Sequence, residues 1–186
     1  MRPSERGFTL IELLVAIALV ALIAVAATMA TFQVITGTER NNNHMTVIRQ
    51  VQNAGFWISQ DALMAESVIT DNLTPPDLLT LTWTEWGYGE EASTYHLVTY
   101  SFQDLSDGIG KLKRQHLIYD DEGGVTGNTT TLVAQYIYYN LDDPDDPDNP
   151  TAIYQSPPPV LTVQIASSLG EAKEIREYRV WRRPNF

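Results

Sequence analysis

The sequence predicts an α+β protein, with a long N-terminal α-helix packed on an antiparallel β-sheet. Three observations predict it. Apolar residues run unbroken from Leu13 to Ala27. Between Val47 and Ala65 they recur at spacings of three and four, the mark of one helical face. After Pro76 the pattern changes to alternation, the mark of half-buried strands. Helix first and strands afterwards is the order of an α+β domain, not the repeated alternation of a doubly wound sheet.

The first element is Phe8 to Phe32, FTLIELLVAIALVALIAVAATMATF, with Glu12 as its one charge. As a helix these residues extend roughly 37 Å, and a hydrocarbon core of about 30 Å needs only ~20 apolar residues. Being apolar all round, the segment suits lipid or the centre of a helical assembly. Arg2 and Arg6 precede it and no Lys or Arg follows until Arg40, so the positive-inside rule places the N-terminus in the cytoplasm and the rest across the membrane. A cleaved secretory signal is the alternative, with Ala24-Val25-Ala26 as its small-residue site. The run is longer than the 7–15 residues typical of such signals. Glu12 also needs a partner if it is to sit in an apolar helix.

Gly7-Phe8-Thr9-Leu10-Ile11-Glu12-Leu13-Leu14-Val15-Ala16 resembles the processing motif of type IV prepilins and type II secretion pseudopilins. In that family a short charged leader ends in Gly, and Phe, Thr-Leu-Ile-Glu and a long apolar helix follow. The resemblance covers about the first 30 residues. It implies a leader over 1–7, a transmembrane and assembly helix over 8–35, and an exported globular head over 36–186. It also implies cleavage between Gly7 and Phe8 by a prepilin peptidase, then N-methylation of Phe8. Glu12 falls on the family's glutamate and would meet the Phe8 ammonium of a neighbouring subunit in a filament. Two charges buried in an apolar bundle are tolerated when paired, and losing one strands the other.

Thr36-Gly37-Thr38 and Asn41-Asn42-Asn43 mark the exit from the membrane and a place for a bend. A second helical section is expected over about 44–67. Its stripe of Val47, Val51, Ala54, Ile58, Ala62 and Ala65 packs on a sheet, and Pro75-Pro76 ends the region. Strands are expected at Leu79–Thr84, Tyr95–Phe102, Leu112–Tyr119, Thr130–Tyr139, Val160–Ala166 and Glu177–Trp181, with a turn at 120–124. The segment after the membrane and the closing Tyr178-Arg179-Val180-Trp181-Arg182-Arg183 are similar to J-type minor pseudopilins and W-type minor pilins. Four Trp, nine Tyr and many strands make a larger head than a minimal pilin needs, which suits a filament tip.

The formal net charge is −11, all of it in residues 33–186. That acidity disfavours nucleic-acid binding by phosphate neutralisation. The absence of cysteine removes disulfides, thiolate metal sites and cysteine nucleophiles together. No GxSxG elbow, P-loop, HExxH or dinucleotide fingerprint occurs, and His44, His96 and His116 stand in no metal pattern. No enzyme is expected. Asp142, Asp143, Asp145, Asp146 and Asp148 form an oxygen-rich loop of a kind that suits calcium, which some pseudopilins use. Pro144 and Pro147 restrict how these carboxylates converge, so the first expectation is a solvated loop without metal or cofactor. Lys173, Arg176, Arg179, Arg182 and Arg183 against Glu174 and Glu177 leave +3 near the C-terminus. Such a strand either blunts a sheet edge or contacts an acidic neighbour, ahead of any DNA contact.

The functional expectation is a minor pilin or pseudopilin of the inner membrane. Its partners are the prepilin peptidase and other pilins or pseudopilins. The alternative is an exported soluble binding domain released by an ordinary signal peptidase.

Overall fold

The computed structural model describes residues 9–70, 76–87, 92–139, 151–156 and 160–181. The chain divides into two compact units, Met1–Asn42 and Asn43–Phe186.

One helix, α1 (Leu10–Met64), begins in the first unit and continues into the second. Within the first unit its apolar side chains are exposed, Leu22 and Ile23 at nearly 70%. Its most apolar 18-residue window has a mean hydropathy of 2.9 with nothing buried, so the helix is long and apolar enough to cross a membrane. The sequence expected one long helix with a place for a bend near 36–43, and helical hydrogen bonding runs through that region. Threonine hydroxyls here join the helix instead of breaking it. Thr36 Oγ1 donates to the Phe32 carbonyl at 3.0 Å and Thr38 Oγ1 to that of Val34 at 2.8 Å.

In the second unit the predicted stripe is the buried face of α1. Val47, Val51, Ala54, Ile58, Ala62 and Ala65 are each at most 1% exposed. Burying one Val or Ile side chain contributes about 1.5–3 kcal/mol, so the stripe and not helix propensity holds this part of α1 in place.

Among the described residues, eight antiparallel strands form one sheet: β1 (Ser67–Ile69), β2 (Asp77–Glu85), β3 (Thr94–Ser106), β4 (Ile109–Tyr119), β5 (Val125–Tyr138), β6 (Ala152–Ser156), β7 (Val160–Leu169) and β8 (Ala172–Trp181). β1 to β5 pair in sequence order. β7 then pairs with β5, β6 and β8. The inward residues form one core with the helix stripe: Leu79, Leu81 and Trp83 on β2, Val98, Tyr100 and Phe102 on β3, Leu112 on β4, and Leu161, Val163 and Ile165 on β7. Six of the strands overlap the predicted segments, mostly with longer bounds, and β5 ends at Tyr138, one residue short of the expected end. β1 and β6 were not predicted. The β3–β4 hairpin closes on Asp107-Gly108, both at positive φ (51° and 75°), which a two-residue turn with the strands' own twist requires.

β5 changes partners along its length, and two irregularities make this happen. Its register against β4 shifts between Leu112 and Lys113 and again between Gly110 and Leu112. Val133 and Ala134 are consecutive yet both buried, and Tyr136 takes a φ of 59°. These bulges release backbone groups from the ladder. Side chains of α1 and β7 take them up: Asn53 Nδ2 donates to the Val133 carbonyl, the Gln135 N–H donates to Gln50 Oε1 at 2.7 Å, and Ser167 Oγ donates to the Tyr136 carbonyl at 2.9 Å. Ile137 then pairs with Ser167 of β7.

Candidate functional site

At the start of α1, Thr9 and Glu12 form a reciprocal cap. The Thr9 N–H and its hydroxyl both donate to Glu12 Oε2 at 2.9 Å, and the Glu12 N–H donates to Thr9 Oγ1 at 3.4 Å. This is a capping box, and its T-x-x-E spacing was present in the sequence. The sequence reading looked for a distant partner for Glu12 and passed over this local one. Glu12 therefore sits in the first turn of the helix, exposed, and held by Thr9. Gly7 and Phe8 lie outside the described residues, as do Asp142, Asp143, Asp145, Asp146 and Asp148.

The second unit contains a buried ionic cluster that sequence reasoning missed. Asp61 of α1 is 4% exposed and Arg114 of β4 is 7% exposed. Arg114 Nε donates to Asp61 Oδ2 at 2.7 Å and Nη2 donates to Oδ1 at 2.8 Å, a two-pronged pair. The Tyr100 hydroxyl donates to the same Oδ2, and the Arg114 guanidinium lies 5.2 Å from the centre of the Trp57 ring. Burial raises the Tyr100 hydroxyl pKa far above its ordinary range, and the Asp61 charge adds to that. Burial alone would lower that of Arg114, but its bonds to Asp61 and the Asp61 charge outweigh this and hold it above its usual value. Because the pair ties α1 to the middle of the sheet through both carboxylate oxygens of Asp61, it has the features of a structural clamp.

Beside it, His96 and His116 meet on the same inward face. His96 Nδ1 and His116 Nε2 are 2.9 Å apart, and His96 Nε2 faces Thr94 Oγ1 at 3.1 Å and Glu85 Oε2 at 3.4 Å. The Trp83 ring stacks on His96 at 5.0 Å, and Trp83 Nε1 is buried without a hydrogen-bond partner among the described residues. Burial lowers the pKa of His116, and the Arg114 charge lowers it further. His44 lies apart on exposed helix. Among the described residues no three His, Asp or Glu side chains are arranged to hold a metal ion.

A surface groove of about 450 Å³ is lined by Arg49, Gln50, Gln52, Asn53 and Phe56. Gln50 and Asn53 are already engaged with β5, so the groove is the outer side of a structural contact.

Residues 2–28 match the family described as the prokaryotic N-terminal methylation motif. The match covers the leader and most of the apolar run, and it supports the resemblance to type IV prepilins and pseudopilins. No curated protein and no solved structure matches the chain.

Proposed function

We propose that this chain is a minor pilin or pseudopilin, a structural subunit of a type IV pilus or type II secretion pseudopilus. The observation that carries the proposal is a coincidence at one place. The methylation motif over residues 2–28 overlies a helix that begins with a closed cap at Thr9 and continues as an exposed apolar span. A prepilin peptidase would cut after Gly7 while the subunit is stored in the inner membrane. The N-terminus lies in the cytoplasm and the head outside. The same apolar surface that stores the subunit in lipid then packs against other pilins or pseudopilins in the filament. Assembly, not catalysis, is the activity. An eight-stranded head clamped to its helix supports a tip position over a repeating shaft.

Glu12 acts at two levels in this proposal. It closes the helix cap, and its charge meets the methylated ammonium of Phe8 in a neighbour. Glu12→Gln separates the two, because Gln also serves in a capping box but carries no charge. The variant is expected to insert normally and fail to enter filaments. Normal incorporation would remove the charge from the mechanism. The larger claim is tested by the intact mass of the mature chain, expected to start at Phe8 with one added methyl. A start near Ala27 would identify an ordinary secretory signal and a released soluble domain instead.

A further inference from the structure

Strand β5 pairs with β4 from end to end but with β7 only at Ile137. From Gly127 to Leu132 its second edge therefore has no strand beside it among the described residues. The register against β4 is regular over these residues, with irregularities on either side of them. Asn128, Thr129 and Thr130 are exposed in succession, so both faces of the strand are open as well as its edge. An open edge is a template for another strand, and proteins block it with charge, proline, bulges or extreme shortness. Other edges of this sheet are blocked in those ways. β8 carries Lys173, Glu174, Arg176, Glu177 and Arg179. β1 has three residues, and Gln155 of β6 donates to its Val68 carbonyl at 3.0 Å. Gly127 to Leu132, by contrast, has no charge and no proline, and Thr129, Thr130 and Thr131 favour an extended strand. Further along the same edge α1 does the covering: Asn53 donates to the Val133 carbonyl and Gln50 accepts from the Gln135 N–H. The edge is closed at 133 and 135 and open just before.

We propose that this edge accepts an extended segment of a different protein chain, which adds antiparallel to β5 as a further strand of the sheet. Strand addition draws its affinity from main-chain hydrogen bonds, and the six residues from Gly127 to Leu132 offer about 20 Å of edge. Antiparallel is the sense of every pair in the sheet and the slightly more stable one per residue. Direction fixes the ends. β5 runs from Gly127 toward Val133, so an antiparallel segment enters beside Leu132. The residues preceding that point lie over the groove lined by Arg49, Gln52 and Phe56. Arg49 is exposed and makes no ion pair among the described residues, and Phe56 is 60% exposed. The segment that fits has an acidic and an apolar residue at its N-terminal end. Uncharged β-branched residues follow, opposite Thr129, Thr130 and Thr131.

A second copy of the chain does not fit. β1, β5, β6 and β8 all run the same way in the sheet, since an even number of antiparallel steps separates them. Antiparallel pairing of β5 with any of them in a second copy would reverse that copy's α1. Two copies inserted alike in one membrane cannot satisfy this. Only this exclusion rests on the membrane insertion proposed above; the open edge does not.

The test uses the full-length chain in detergent and a short synthetic peptide, aspartate and leucine followed by alternating threonine and valine. Saturable binding is expected, read by fluorescence anisotropy of the labelled peptide. Hydrogen exchange resolved to single amides should slow at alternate positions between 127 and 132, because an added strand takes every second backbone group. Methylating every second peptide nitrogen gives two patterns, and one should bind while the other, with its methyls toward β5, should not. Arg49→Glu should weaken the aspartate peptide about two- to fivefold, and lysine in place of that aspartate should restore binding. Arg49 is exposed, so the variant is expected to fold. No saturable binding, protection outside 127–132, equal behaviour of the two methylation patterns, or indifference to the charge reversal would each overturn the proposal. So would protection of 127–132 that rises with protein concentration in the absence of peptide, which would assign the edge to a second copy.

Discussion

The ring of Tyr178 on β8 lies where a side chain on Gly55 of α1 would have to be. A Cβ built on Gly55 would come within 2.1 Å of Tyr178 Cζ, and the Tyr178 hydroxyl donates to the Val51 carbonyl one turn earlier at 3.1 Å. Burial raises the pKa of this hydroxyl despite the nearby Arg176. The edge strand is thus bonded to the helix through a contact that requires the helix to have no side chain at that point.

Gly55→Ala sets two effects against each other. Alanine is a better helix former by about 1 kcal/mol. Overpacking costs about 1–3 kcal/mol, and the overlap here is with a ring held in place by its own hydrogen bond. Steric conflict is expected to win, giving a lower melting temperature in chemical and thermal unfolding of the membrane-extracted chain. Tyr178→Ala should make the same Gly55→Ala change stabilising, because the space is then free.

Asp61 and Arg114 lend themselves to a paired replacement. Arg114→Met leaves a buried carboxylate bonded only to Tyr100 and is expected to cost about 3–5 kcal/mol. Asp61→Leu strands the guanidinium and should cost a similar amount. The double variant should recover most of the loss, since a well-packed apolar pair often matches a buried ion pair. Equilibrium unfolding of the four proteins measures the coupling. Additive losses would mean the two charges act separately.

His116 gives the head a pH dependence with a defined sign. Its folded pKa is held below the ordinary 6.5 by burial, with Arg114 and then His96 adding to the effect. The unfolded chain takes up this proton at higher pH than the folded head. Stability contributed by the neutral ring is therefore full above about 6.5 and declines as pH falls toward the folded value. His116→Asn should flatten that slope when melting temperature is followed between pH 7 and 5. The Lys111 bond to Asp104 lowers that carboxyl below 3.8, so its own loss lies in a more acid window and does not overlap.

Much of the fold was visible in the sequence because period is a strong signal. Val47 to Ala65 showed a helical face, and Leu79, Leu81 and Trp83 an alternating strand, and each of these residues is buried. Asp61 was hidden because a charge beside an apolar stripe is normally taken as its solvated border, and its partner is Arg114, far along the chain. The first half of β8 was hidden for the opposite reason, since charges alternate there where apolar residues were sought. The bulges of β5 give almost no local sign, because Tyr136 adopts its positive φ without the glycine or asparagine that usually announces one. In the N-terminal region the motif directed attention to a filament partner for Glu12. The shorter T-x-x-E pattern it contains explains where the helix begins.

The cap itself has a consequence for processing. Among the described residues, every bond that closes it comes from Thr9 or Glu12, and the Leu13 N–H donates to the Thr9 carbonyl at 3.3 Å. A cut between Gly7 and Phe8 therefore takes nothing from these bonds. On the processing proposed above, cleavage leaves these bonds in place and exchanges the charged leader for a free positive end. On that proposal, maturation is a change of charge beside a helix start that the cut leaves bonded.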